Sequence, residues 1–69
     1  MNYFDYEKVA REAGIGPEAL DELCRHVRED YPFDDMLFEL HVLRVCMSVR
    51  DGVVALDEAI SSAARSASS

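Results

Sequence analysis

Apolar residues recur every three or four positions along four separate stretches of this chain, and glycine or proline stands in each gap between them. That period belongs to helices, whose side chains share a face at such spacings. Tyr6, Val9, Ala10 and Ala13 make the first stretch, with Asn2 or Asp5 placed to cap it and Gly14 placed to end it in a left-handed conformation. This predicts a first helix over about residues 4–13. Pro17 suits the first turn of the next helix, preceded by Gly16 as cap. Ala19, Leu20, Leu23, Cys24, Val27 and Tyr31 line one side of that second helix, which is predicted to run to about Tyr31. Pro32 stops it there, because the residue before a proline avoids the helical region.

The third stretch differs from the others in carrying two apolar stripes. At about 100° per residue, Met36, Leu40, Leu43 and Met47 fall on one side of a helix and Phe38, Val42, Val45, Cys46 and Val49 on another. Glu39 and Arg50 separate the stripes on one flank, and His41, Arg44, Ser48 and Asp51 on the other. A helix with two apolar sides needs two things to pack against. One stripe suits the first two helices; the other must meet the fourth helix or a second chain. This third helix is predicted from Asp34 or Asp35 to Arg50, with Gly52 as its terminator. Val53-Val54 is too short a run to predict a sheet. A fourth helix is predicted from near Leu56, with Asp57 and Glu58 in its first turn and Leu56, Ala59, Ile60, Ala63 and Ala64 along one face. Its small side chains bury little area, so it is expected to be weakly held. Ser66 to Ser69 reads as a disordered polar tail. The expected architecture is an all-α bundle of four helices in one domain over residues 1–65, with the third helix central.

Length and charge narrow the roles. A chain of 69 residues buries too little surface to be robust alone, so help from a partner is expected. Fourteen acids against seven bases leave a net charge of -7, which repels nucleic acid and anionic membranes and favours basic partners. Cys24 and Cys46 are too few for a disulfide framework and both fall on apolar helix faces, which fits a reducing cytoplasm. Met1 to Tyr6 carries an acid and no apolar run, unlike a signal peptide. No stretch approaches the roughly 20 apolar residues that span a bilayer. Six of the seven bases are arginine, and alanine and valine are plentiful, a composition that fits a GC-rich bacterial source.

The segment Val9-Ala10-Arg11-Glu12-Ala13-Gly14-Ile15-Gly16-Pro17-Glu18-Ala19-Leu20-Asp21-Glu22-Leu23 has the layout of a helix-turn-helix. Such a corner needs a small residue in its first helix, a turn glycine, an apolar residue after it and two apolar anchors in the second helix. Ala10, Gly14, Ile15, Leu20 and Leu23 supply these. The segment resembles the helix-turn-helix of bacterial regulators of the Lac repressor family, with its Val-Ala-x-x-Ala-Gly-Val-Ser-x-x-Thr-Val pattern: Val9, Ala10, Ala13, Gly14 and Ile15 match, and Gly16 stands where that family often has serine. The resemblance implies a second helix entering the major groove, with Pro17, Glu18, Ala19, Asp21 and Glu22 at the DNA. Those positions carry the wrong sign for phosphate. From Pro17 to Tyr31 two bases, Arg25 and Arg28, stand against five acids, Glu18, Asp21, Glu22, Glu29 and Asp30, a net of -3. A transcription-associated DNA-binding protein is therefore the alternative reading, and a corner used for packing or protein contact the first.

Chemistry-bearing residues are few. Zinc ligands on one helix normally stand three or four residues apart, whereas Cys24 and His26 are two apart and His41 and Cys46 five apart. No metal or cofactor is expected from them. Glu22 and His26 share a helix face and read as a surface pair. Phosphate loops, nucleophile elbows and di-iron motifs do not occur, and Asp34 and Asp35 read as a cap and a dipole partner, so no catalytic residue and no enzyme activity are predicted. The stripe Met36, Leu40, Leu43, Met47 carries the sharper expectation. Its spacing of four, three and four is that of a short parallel or antiparallel helical seam, and methionine adapts well to binding surfaces. Covered by the fourth helix, the same stripe would be half of a monomeric core. The small residues of that helix cover large ones poorly, which points to a homodimer, with Glu18, Asp21, Glu22, Glu29 and Asp30 as an acidic surface for a protein partner.

Overall fold

Among the described residues of the computed structural model, which are 4–68 with side chains through residue 62, the chain forms four α-helices and no strand. They are α1 (Tyr6–Glu12), α2 (Pro17–Asp30), α3 (Asp35–Arg50) and α4 (Leu56–Ser68). Each boundary has a local cause. Asp5 caps α1 by accepting from the Lys8 N–H at 3.2 Å, which leaves Phe4 outside the helix and makes it shorter than the spacing of apolar residues predicts. Gly14 takes φ +76°, and the Ile15 N–H turns back to the Ala10 carbonyl at 2.9 Å. Asp34 caps α3 through the Leu37 N–H at 3.0 Å, satisfying a donor that the first turn otherwise leaves open.

At the far end of α3, Gly52 again takes φ +76°, and the Val53 N–H closes on the Ser48 carbonyl at 2.9 Å. That bond spends the Val53 donor on the end of the helix. α2 ends at Asp30, one residue before the expected Tyr31, with the Tyr31 N–H still reaching the Val27 carbonyl at 3.2 Å. α4 continues through Ser66–Ser68, where a polar tail was expected; Ser69, Met1 and the candidate cap Asn2 lie outside the described residues.

α3 is the central element: α1, α2 and α4 all pack against it, and α2 also packs along α4. The core joins Ala10 and Ile15 from the first corner, Leu23 and Val27 from α2, and Phe38, Val42 and Cys46 from α3. Leu56 and Ile60 of α4 pack against this same core, and Ala59 is buried beside it. Phe38 holds a corner of the core by two ring contacts. Tyr6 meets it edge-on at 6.3 Å between centroids, and the Arg28 guanidinium lies 3.9 Å over its face. Arg28 also bonds Asp35 at 2.7 Å, so one side chain ties the end of α2 to the start of α3.

Candidate interaction surfaces

The two stripes of α3 have different fates. Phe38, Val42 and Cys46 are buried and Val45 and Val49 pack against them, so one stripe is core. Met36, Leu40, Leu43 and Met47 belong neither to that core nor to the partly buried residues around it. Met36 is 50% exposed and Met47 38%, with Leu40 and Leu43 half-buried between them. The helical period explains this. The two stripes are centred more than a third of a turn apart, and the stripe facing Leu23 and Val27 leaves the other turned outward. Two neighbours of this surface escape a reading by spacing alone. Phe33, 96% exposed, precedes the helix yet lines one shallow depression with Met36, and Leu37 is exposed on the adjoining flank.

On α2, Glu18, Asp21, Glu29 and Asp30 are exposed and Glu22 is half-buried. Glu18, Asp21, Glu22 and Glu29 lie away from Leu23 and Val27, whose burial fixes the inner face of the helix, whereas Asp30, seven residues after Leu23, stands on the inner side at the helix end. Of the positions that the helix-turn-helix resemblance would bring to DNA, Pro17, Glu18 and Asp21 are exposed and Glu22 is half-buried, while Ala19 packs against the core. Glu22 stands 3.9 Å from His26, one helical turn on. Asp30 extends the acidic face into a cleft of about 590 Å³ between α2, α3 and α4. Val27, Val45 and Ala59 supply apolar lining there, and Asp57 and Glu58 add two carboxylates to that of Asp30.

The four residues weighed as zinc ligands lie in different surroundings. Cys46 is in the core, Cys24 is half-buried beside Tyr6, His26 faces Glu22, and His41 lies 3.4 Å from the Tyr31 hydroxyl. Among the described residues no three histidine, cysteine or acidic side chains converge as a metal site would require. Glu39, placed by the helical period at the edge of the core stripe, is buried and accepts the Phe4 N–H at 3.2 Å, pinning the segment before α1 to α3. Sequence periodicity gave no sign of this bond, because its donor lies 35 residues away on an irregular segment.

The thiols and Tyr6 make one testable cluster. Burial pushes Cys46 up to about 11 from an ordinary 9.0, with the nearby Cys24 adding to it. Burial also raises Cys24, with Asp21 contributing, and raises Tyr6, whose hydroxyl donates to the Cys24 sulfur. All three groups hold their protons more tightly in the folded chain than in the unfolded one. Their contribution is therefore complete below the ordinary thiol value of 9.0 and is lost as pH rises toward the folded value of about 11 for Cys46. The melting temperature is expected to fall steadily above pH 9.0, and a melting temperature flat to pH 10.5 or so would contradict this burial.

Among the described residues, no helix is long and apolar enough to cross a membrane. Comparison with protein-family models, with curated proteins and with solved structures finds no match.

Proposed function

We propose that this chain is a small acidic interaction or regulatory module, without enzymatic activity, that works as a homodimer in the cytoplasm and presents the outer face of α2 to a basic protein partner. The observation that carries the reading is the outward stripe of α3. Large apolar side chains grouped on the surface of so small a chain are costly to leave in water, and such patches mark contact with another molecule. α4 does not offset this cost, because its Leu56 and Ile60 serve the core on the other side of α3. The two thiols are free, as a reducing compartment keeps them.

The acidic face supplies the second half of the reading. A lysine or arginine side chain has an aliphatic stem and a cationic head, and the cleft beside Asp30 offers surfaces for both. The first check is mass against concentration. The weight-average mass should rise above the 7.8 kDa of one chain as concentration increases, and a mass fixed at that value throughout ends the homodimeric reading. The second is titration with an arginine-rich peptide. Binding should weaken with salt, and Glu29→Lys should weaken it about tenfold more than Glu7→Lys, which changes net charge equally on α1. Equal losses from the two variants would show attraction to overall charge and no site on α2.

A further inference from the structure

We propose that two copies of this chain pair their α3 helices antiparallel, about a two-fold axis passing midway between Leu40 and Leu43. The proposal rests on the reading of the outward stripe as a self-association surface and adds its geometry. Met36, Leu40, Leu43 and Met47 read the same from either end of the helix, methionine, leucine, leucine, methionine, with spacings of four, three and four. A two-fold axis at their midpoint sets Met36 against Met47 of the second copy and Leu40 against its Leu43. The four lie within a sector of about 60° and extend about 16 Å along the helix, so two such stripes can meet along their whole length at a small crossing angle.

A parallel pairing would also match each residue with its own kind, and charge decides between the two. The start of α3 is negative. Asp30, Asp34 and Asp35 gather there, all exposed, and Arg28 offsets only part of their charge. The end of α3 is near neutral, because Arg44 and Arg50 stand there against Glu12 and Asp51, with Arg50 bonded to both carboxylates, at 3.1 Å and 3.2 Å. A parallel pair would bring the two negative ends together and align the helix dipoles. An antiparallel pair separates those ends by about the 24 Å length of a sixteen-residue helix. That exceeds the screening length of about 8 Å at physiological salt. It also sets each negative start beside the arginine-bearing end of its partner. Phe33, exposed before α3, then falls opposite the second copy's Arg50, the kind of contact that Arg28 already makes with Phe38 within one chain.

The test uses Met36→Cys and Met47→Cys, both at exposed positions, with one variant isotope-labelled so that mixed and unmixed pairs differ in mass. Each is treated with a short bismaleimide alone and in a mixture. The wild-type chain, treated identically, reports any linkage through Cys24 or Cys46. Antiparallel pairing predicts at least tenfold more mixed cross-link than Met36→Cys self-link, because the two Met36 positions stand about 16 Å apart along the helices. Dominant self-links would overturn the antiparallel arrangement while leaving self-association standing. No cross-link in any sample, with wild type monomeric at every concentration, would overturn self-association itself. Circular dichroism checks that both variants stay helical; should one unfold, Leu40→Cys mixed with Leu43→Cys asks the same question of the inner pair.

Discussion

Leu23→Ala is expected to remove most of the stability of this chain. Leu23 is fully buried at the junction of α2 with α3, in one core with Val27, Val42 and Cys46. Deleting three buried carbons from such a site costs roughly 2–5 kcal/mol, made up of lost transfer energy and the cavity left behind. Domains of this size have about 0.05–0.15 kcal/mol of stability per residue, so the whole fold is stabilised by only about 3–10 kcal/mol. Little else can take up the loss, since α4 adds mainly Leu56, Ala59 and Ile60 to the core. Urea denaturation followed by circular dichroism should show a sharply lowered midpoint, or no folded baseline at all. Leu23→Met, which conserves volume, should lose less than about 1.5 kcal/mol. A Leu23→Ala loss below about 1 kcal/mol would contradict the packing described here.

Leu40→Glu and Leu43→Glu are expected to have the opposite profile, preserving the fold and abolishing association. Both residues are on α3, yet neither contributes to the core. A glutamate on an outward helix position costs the monomer little, because its helix propensity is close to that of leucine. In the dimer the same carboxylate must be desolvated in an apolar seam. A central interface residue contributes about 2 kcal/mol, and a symmetric dimer carries two copies of each substitution. The dimer constant should therefore weaken by about a thousandfold. Unfolding in either variant would instead place these leucines in the core of the monomer.

The parts of the fold governed by local rules were legible in the chain. Asp34 as a cap, Gly14 and Gly52 as left-handed terminators and Pro17 in a first turn all act within a few residues, and each is where its chemistry requires. The double stripe of α3 was legible as well, since a period of 3.6 sorts Phe38, Val42 and Cys46 from Met36, Leu40 and Met47 without any tertiary information. What periodicity does not contain is the choice of neighbour. That α4 serves the Val42 side follows from how the loop after Gly52 returns along α2. The bond from Phe4 to Glu39 and the Arg28 guanidinium over Phe38 are likewise products of the assembled fold. Glu18, Asp21, Glu22 and Glu29 were readable as an outer face, but the cleft that joins Asp30 to Asp57 and Glu58 exists only once α2 and α4 lie side by side.

The claim on which the functional reading depends is that the Met36 stripe is an interface, and sedimentation equilibrium of the wild type beside Leu40→Glu and Leu43→Glu, each with its helix content measured, tests it most directly. The wild type is expected to dimerise with concentration and both variants to remain helical at 7.8 kDa. A monomeric wild type whose variants lose their helices would contradict that claim, and would make the stripe part of the core.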